Sequence, residues 1–427
     1  MSPPPAPRRG RRLLVSCVNY APEILGTAPY TRDLAEWFAG RGWEVRIVTT
    51  YPYYPEWRRR PQDPRLAYRV QRGGGSGSSG GGVTVLRCPA WVPRVPTGGR
   101  RLAHYATFAA SSLPVVLAHA AWKPDFVLVV APTLASAPGA LLAARLFGGR
   151  SWVHVQDYEV DVALRLGLLP PAGRTALKWV ESRLLRAFDI VTSITEPMLG
   201  VARELGVPEE RLVLLPNWAN LSLVRPLGRP SRLRAALGIS DERRVVLYSG
   251  NLGRKQGVAL LGNAARHAHE SGSRVLYVVS GDGADRQALA SAAEDHGLTN
   301  LVMVPLQPDE SFNELLNLAD AHLIVQEAGV ADLVMPSKLT NMLASGRPVI
   351  ATAAAGTALA DLVREHDVGT VVEPGDPDAL AEAVGALMDD DDRRGRQGAN
   401  ARAFAEEFLD RDRLLTAALE RLQERCC

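Results

Sequence analysis

Residues 244–258 read RVVLYSGNLGRKQGV. The run Arg244–Tyr248 is mostly apolar, Ser249-Gly250-Asn251-Leu252-Gly253 brings two glycines, and an apolar-periodic pattern opens at Gly257. That succession predicts a strand, a glycine turn and a helix. Glycines let backbone amides come close to a phosphate, and the amides at a helix N-terminus together carry about half a positive charge. Arg254 and Lys255 add two full charges at the same place. A glycine turn after a strand also serves as a plain connection; the basic pair is what favours a phosphate site.

Outward from this unit, short apolar runs alternate with helical patterns along most of the chain. In the first half the strands read Leu13–Val18, Val45–Thr49, Val83–Leu86, Phe126–Val130, Trp152–Val155, Ile190–Ile194 and Leu212–Leu215. In the second they read Val245–Tyr248, Val275–Val279, Leu301–Val304, Ala321–Val325, Pro348–Ala351 and Thr370–Val372. Fully apolar strands separated by helices imply parallel sheets covered on both faces. So many strands exceed one comfortable sheet, and the fold class expected is α/β, with two doubly wound Rossmann-like domains facing a cleft. The stretch Asn217–Pro230, NWANLSLVRPLGRP, lacks periodicity and holds two prolines, so it marks the boundary. The expected domains are residues 10–222 and 223–404, with a charged C-terminal helix at 405–425 packing back on the first.

Composition narrows the class. The 427 residues carry 49 Lys and Arg against 46 Asp and Glu, a net charge of +3 that does not suggest nucleic acid as a partner. Cys17, Cys88, Cys426 and Cys427 form no CxxC pair and no spacing with histidines, so neither a metal site nor a disulfide framework is expected. Phe126–Phe147 is long and nearly uncharged, but Pro132, Pro138 and Arg145 lie in it, which favours strand, turn and buried helix over a membrane span. Gly73–Gly82, GGGSGSSGGG, reads as a flexible loop. Tyr51–Arg72 is irregular and rich in Tyr, Trp, Arg and Pro, a pattern of lids and binding loops.

In open α/β sheets ligands bind at the carboxyl ends of the strands, so the loops there supply the candidates. Gly26-Thr27 opens the helix Ala28–Ala39 and could approach a phosphate or sugar, or simply turn the chain. There is no GxGxxG, which argues against a dinucleotide. After Trp152–Val155 come Gln156-Asp157-Tyr158-Glu159-Val160-Asp161. Asp157 and His154 are acid/base candidates there; a satisfied core histidine is the other reading of His154, and Glu159 and Asp161 suit a helix cap. Ser280-Gly281-Asp282-Gly283 is a second glycine turn on the same sheet edge. Pro336-Ser337-Lys338 precedes the helix Leu339–Ala344, where a serine cap, a helix start and a lysine would favour an anion.

Together these residues resemble a family 4 glycosyltransferase of the GT-B fold, most similar to bacterial enzymes that build exopolysaccharides such as colanic acid. The segments that carry the resemblance are PEILGTAPYTRDLAEWFAGRGWEVRIVTT, HVQDYE (154–159), Pro216-Asn217, YSGNLGRKQG, SGDG and PSKLTNMLASGRPVIAT, in order over nearly the whole chain. The resemblance implies a retaining transferase that needs no cofactor or metal and uses a UDP- or GDP-type sugar donor. In it the first domain faces the acceptor and the second binds the donor. Arg254 or Lys255 would neutralise the diphosphate, Gln256 standing where the family has its lysine before the glycine. Asp157 and His154 would be the catalytic candidates on the acceptor side. Gly26, Thr27, Gly250, Asn251, Gly253, Gly281, Asp282, Gly283, Ser337, Lys338 and Leu339 would line the donor. Asn341 stands at the family's second glutamate, which binds the ribose, and Leu333 at the first, with Asp332 and Glu327 nearby.

The acceptor implied is a glycan or lipid-linked sugar, which would place the protein in the cytoplasm with peripheral contact at the inner membrane. Arg94, Arg100 and Arg101 before an amphipathic helix, His104–Ala121, suit a membrane surface, with an ordinary domain helix as the alternative. Rival readings are a GT-B epimerase or phosphorylase and a non-catalytic sugar-nucleotide-binding protein.

Overall fold

The structure, a computed structural model, describes residues 11–24, 26–73, 82–132, 134–158, 174–253, 257–326 and 335–424. The chain divides into two compact units, Met1–Leu215 with Leu415–Cys427, and Pro216–Leu414.

The first unit holds an eight-stranded sheet among its described residues, ordered β3-β4-β2-β1-β5-β6-β7-β8. Its strands are β1 (Arg12–Cys17), β2 (Glu44–Thr50), β3 (Arg69–Gly73), β4 (Val83–Cys88), β5 (Phe126–Ala131), β6 (Arg150–Val155), β7 (Ile190–Ser193) and β8 (Leu212–Leu214). Helices α1 (Ala28–Gly40), α2 (Gly98–Ala120), α3 (Ala137–Phe147), α4 (Arg174–Leu185) and α5 (Glu196–Glu204) connect them. All neighbours are parallel except the β3–β4 pair. Strand order reverses between β1 and β5, so the loops after these two strands open the crevice of a doubly wound sheet.

The second unit has β9 (Val245–Ser249), β10 (Leu276–Ser280), β11 (Leu301–Val304), β12 (Ala321–Ile324), β13 (Val349–Thr352) and β14 (Gly369–Val372) in the order β11-β10-β9-β12-β13-β14, all parallel. Its helices are α6 (Arg232–Ala236), α7 (Val258–Glu270), α8 (Arg286–Asp295), α9 (Asp309–Leu316), α10 (Leu339–Ala344), α11 (Ala358–Glu365), α12 (Pro377–Asp389) and α13 (Asp391–Phe408). Helix α14 (Arg411–Glu424) begins in this unit, and its residues from Leu415 are grouped with the first. Strand β9 shows why these strands are apolar throughout: Val246 and Tyr248 enter one core cluster, Val245 and Leu247 another. Helices cover both faces, and each side chain of the strand is taken out of water, at roughly 1.5–3 kcal/mol per large apolar residue. The strand order reverses at β9–β12, which puts the Ser249–Gly253 turn at the switch point.

Phe126–Phe147 forms β5, a turn and α3, and no described helix is long and apolar enough to cross a membrane. Helix α2 begins at Gly98, not His104, so Arg100 and Arg101 lie in its first turn; an extended Thr97 ends the loop and lets Gly98-Gly99 start the helix. The loop Gly73–Gly82 lies mostly outside the described residues. Tyr51–Arg72, expected to be a lid or binding loop, is partly packed into the first unit. Tyr51, Tyr53 and Trp57 are buried, with Tyr53 4.5 Å and Trp57 5.6 Å, ring to ring, from His104 of α2, and Arg69–Gly73 is the edge strand β3.

That segment is tied down by a buried carboxylate. Glu23 Oε1 accepts the Tyr53 and Tyr54 amides at 2.8 and 2.9 Å, and Oε2 accepts Asn19 Nδ2 at 2.9 Å. Arg87 lies close by, donating to Thr50 O at 2.9 Å, to Gln71 Oε1 at 3.1 Å and to Ala21 O. Burial is the main influence on Glu23 and raises its pKa above the usual carboxylate range. Glu23→Ala leaves two amides without their acceptor, at about 1–3 kcal/mol each. We expect it to lower unfolding stability by roughly 2–5 kcal/mol in urea titration, and Glu23→Gln, which keeps an acceptor oxygen, to lose less than half of that. An unaltered midpoint for the alanine variant would show that the loop does not depend on this carboxylate.

Candidate functional site

In the second unit the two glycine turns pack against each other. The Gly250 amide donates to Ser280 O at 2.9 Å and the Leu252 amide to Asp282 O at 2.8 Å, while Leu252 O accepts from Asp285 N at 2.9 Å. A side chain is excluded at this contact: a Cβ on Gly281 would stand 2.0 Å from Gly250 O, and one on Gly283, at φ +152°, 2.5 Å from Leu252 O. Gly281 and Gly283 are therefore a buttress. Their lack of side chains lets the second turn close on the first, where Ser280 O and Asp282 O take the Gly250 and Leu252 amides; of Gly250, Asn251 and Gly253, expected to line a donor, Gly250 thus has its amide engaged within the unit. Among the described residues, the Asn251 and Gly253 amides have no hydrogen-bond partner. Asp282 turns inward on its own loop, its Oδ1 accepting the Gly283 amide at 2.8 Å.

Lys338 comes to this turn from 88 residues along the chain. Its stem is partly exposed, but its Nζ is buried and has no hydrogen-bond partner among the described residues. The ammonium lies 3.8 Å from the centre of the Tyr248 ring, and the Tyr248 hydroxyl donates to Asn251 O at 2.8 Å. Gly250, at φ +142°, leaves the space that a side chain would take: a Cβ there would sit 3.6 Å from Lys338 Cδ and 3.9 Å from Nζ. Desolvation pushes the Lys338 pKa down to about 7. The aromatic face stabilises the cation by roughly 1–2 kcal/mol, which falls short of hydration. This group is a cation held ready beside two amides.

Other predicted donor residues gather around it with changed roles. Lys338, not Ser337, is the N-cap of α10, and it makes no side-chain cap bond; Ser337 O accepts the Thr340 hydroxyl at 3.1 Å. Leu339 is core, and Asn341, half-buried, follows two residues on. Arg254, Lys255 and Gln256 lie outside the described residues, as do Glu327, Asp332 and Leu333. A cavity of about 270 Å³ opens elsewhere, lined by Arg244, Asp320, Arg347 and Arg394 before the amino ends of β9, β12 and β13. It is at the opposite edge of the sheet from the turns, and Asp391 already holds Arg244 at 2.6 Å.

In the first unit His154 is buried within β6. Its Nδ1 meets Thr192 Oγ1 at 2.8 Å and its Nε2 meets Gln156 Nε2 at 2.9 Å. Burial pushes its pKa down to about 4. Both ring nitrogens are engaged by the sheet, so His154 has the surroundings of the core-histidine alternative and holds Gln156 in place. Asp157 follows at the carboxyl end of β6, half-buried. Tyr158 then anchors the chain, donating to Met198 O at 2.9 Å. Glu159 and Asp161 lie outside the described residues. Gly26 has φ +68°, and a Cβ there would be 3.7 Å from the Tyr54 ring; Thr27 caps α1 without a side-chain bond.

The sequence reading missed Tyr248 as the platform for Lys338, because the two are far apart in the chain and Tyr248 reads as one more core residue. It also missed Glu23 and Arg87, whose hydrogen bonds run to groups distant in the chain.

Comparison with known proteins agrees with this geometry. Residues 26–218 match the model of a glycosyl transferase 4-like domain, and residues 231–404 that of glycosyl transferases group 1. WcaI of Escherichia coli (strain K12), provisionally named a colanic acid biosynthesis glycosyl transferase, is 36% identical over 95% of this chain and 98% of its own length. A D-inositol 3-phosphate glycosyltransferase of Xylanimonas cellulosilytica is 28% identical over 60% of this chain and 61% of its own. Among solved structures, the sucrose-phosphate synthase of Thermosynechococcus elongatus superposes with a TM-score of 0.73 at 17% identity, covering 97% of this chain and 98% of its own. Anabaena HepE, solved with UDP-glucose, gives 0.68 at 16%, covering 97% and 99%. Two parallel α/β sheets that superpose on these enzymes, two family models in tandem and a full-length relative place the chain in the group 1 glycosyltransferases, family 4, with the GT-B fold.

Proposed function

We propose that this glycosyltransferase takes a sugar from a UDP- or GDP-type donor and places it, with retention, on a polysaccharide or lipid-linked sugar acceptor in cell-surface polysaccharide biosynthesis. It would work in the cytoplasm, at the inner membrane. The observation that carries the donor assignment is the buried Lys338 Nζ beside the Gly250 turn, without a hydrogen-bond partner among the described residues. The role given to WcaI supports the acceptor class, and the UDP-glucose complex of HepE makes UDP-sugars the first donors to try.

In this reading residues 223–404 hold the donor and residues 10–222 the acceptor. The diphosphate lies against the Asn251 and Gly253 amides and Lys338 Nζ, and Arg254 or Lys255 meets its remaining oxygens. Asn341 hydrogen-bonds the ribose. As the bond between the sugar and the diphosphate breaks, charge grows on the leaving oxygen, and cations fixed in advance stabilise it without reorganising. The acceptor hydroxyl attacks from the side the diphosphate leaves and passes its proton late to a phosphate oxygen, so configuration is kept and a strong protein base is dispensable. Asp157 faces the sugar or the acceptor hydroxyl and offsets the positive charge that develops at the sugar.

A melting-temperature screen over UDP-, GDP-, ADP- and dTDP-sugars tests the donor class, since binding to the folded state alone raises stability with the logarithm of ligand excess. Proton NMR of the product then reads the anomeric configuration, and an inverted linkage would sink the retaining mechanism.

Lys338 gives the reading a pH signature. A folded-state pKa of about 7 lies below the usual lysine value, so between pH 7 and about 10.5 the unfolded chain holds a proton that the folded one lacks, and stability rises with pH through that window. The cost of the buried ammonium is therefore fully present below pH 7. We expect Lys338→Met to raise the melting temperature of the ligand-free protein, more at pH 6 than at pH 9. The same change should weaken nucleotide-sugar binding at pH 6 by about tenfold or more, the value of one charge-assisted contact at roughly 1.5–3 kcal/mol. Wild-type affinity should fall as pH rises from 6 to 8.5, and the variant's should not. Equal pH slopes for the two proteins would remove Lys338 from the donor site.

Asp157→Asn keeps shape and removes charge. We expect turnover to fall at least about tenfold, or 1.4 kcal/mol, with nucleotide-sugar affinity nearly unchanged. Lost affinity with intact turnover at saturation would put Asp157 in the wrong role.

A further inference from the structure

The charge of the chain is unevenly spread. From Pro64 to Pro124 the sequence contains eight Lys and Arg and no Asp or Glu. Since the whole chain carries +3 and this stretch +8, everything outside it sums to −5. The stretch contains β3, β4 and α2 of the first unit. Helix α2 buries His104, Tyr105, Phe108 and Val116 and turns Leu102, Ala103, Ala106, Ala110 and Leu113 outward. A helix face turned to water ordinarily carries charge. Between Arg101 and Lys123 this one carries none beyond two inward-leaning histidines, each of which burial shifts toward the neutral form.

Two loops lie along the same helix. Tyr68 Oη donates to Ser111 O at 3.0 Å, and the Trp91 amide donates to Thr107 Oγ1 at 3.1 Å. Both loops leave apolar side chains in water: Leu66 is 84% exposed, Val70 61%, Val95 56% and Trp91 48%. Arg65, Arg69, Arg72, Arg94 and Arg100 are exposed among them, with no carboxylate partner among the described residues. Arginines on β3 also guard an open sheet edge. That accounts for Arg69 and Arg72, but not for Arg65, Arg94 and Arg100 on the loops and helix, nor for apolar side chains left uncovered beside them.

We propose that this face is a docking surface for an anionic lipid bilayer, with Leu66, Trp91, Val95 and Leu102 seated at the headgroup boundary and the five arginines against lipid phosphates. The complementarity of charge selects the occupant: the stretch 64–124 that supplies this face contains no carboxylate, and each arginine near an anionic membrane adds about fivefold to binding. Helix α2, with Pro114 inside it and mostly alanines on its outer face, suits lying in the interface and not crossing it. The inference deepens the lipid-linked acceptor reading by naming the surface that meets the membrane, but it can fail or hold by itself, since it concerns lipid and not transfer.

The test uses the full chain and sedimentation with sucrose-loaded vesicles of phosphatidylcholine alone or with about one-third phosphatidylglycerol, without donor or acceptor. We expect at least about tenfold more protein on the anionic vesicles, lost as salt rises toward molar concentrations. Two variants of exposed positions should each cut binding about fivefold or more without moving the melting temperature: Leu66→Ser with Trp91→Ser and Leu102→Ser, and Arg65→Gln with Arg69→Gln and Arg94→Gln. Equal or negligible binding to both vesicle types overturns the proposal. So does loss of binding in the arginine variant alone with heparin competing fully, which would mean a general polyanion surface. A dimer in sedimentation velocity that dissociates in the apolar variant would assign the face to a second copy of the chain.

Discussion

A lysine amine buried without an acceptor among the described residues is the constraint at the centre of the second unit's turns. Lys338 Nζ rests on the Tyr248 ring and faces a turn whose shape is fixed by a second turn behind it. The packing is so close that neither Gly281 nor Gly283 could carry a side chain, so the first turn cannot relax toward the lysine to satisfy it. The fold thus bears a standing electrostatic cost, and an anion arriving at the turn relieves it. Preorganised charge of this kind is worth most where water is already excluded. The strand order adds the location: β9 is the strand at which the sheet reverses, so its carboxyl end is where the flanking loops diverge.

The first unit shows the opposite treatment of buried ionisable groups. Glu23 is as buried as a carboxylate can be, yet it accepts two backbone amides and an asparagine. Arg87 is likewise satisfied, by two carbonyls and a glutamine, and His154 has a partner at each nitrogen. Burial shifts the pKa of these groups too, as it does that of Lys338, so a shift alone does not separate a structural group from a working one. Satisfaction does. A charge whose lone pairs or protons are all taken by its own chain holds loops together, and one that is left over is available to a ligand.

Much of this was legible in the sequence. Each of the thirteen apolar runs is a strand, because strands covered on both faces must be apolar at every position. Strand β3 was not, since Arg69–Gly73 is polar, exposed and paired on one side only, and so carries neither apolar run nor alternation. The start of α2 slipped six residues because Gly98-Gly99 reads as a break, while an extended Thr97 makes it a helix start. Both glycine turns could be seen, but not their division of labour: which turn carries free amides depends on the register of β9 against β10. Lys338 was visible as a lysine at a helix start; the reason it matters, its seat over Tyr248, arises only when chain positions 90 apart meet.

Net charge is the sequence quantity that misleads most here. A total of +3 suggests an unremarkable surface, yet it is the sum of a carboxylate-free stretch at +8 and a remainder at −5. The two kinds of cation that result behave differently in salt. Lys338 Nζ is sheltered, so its attraction for an anion placed at the turn is little screened. Arg65, Arg69, Arg72, Arg94 and Arg100 stand in solvent, where a Debye length of about 8 Å at physiological ionic strength governs their reach. If the second unit holds the donor and the first meets an anionic surface, as proposed, ionic strength separates the two: a rise in salt that strips the first unit from that surface leaves the donor contact nearly intact. On that proposal, donor loading is insensitive to salt while the meeting with an acceptor held at a charged surface is not.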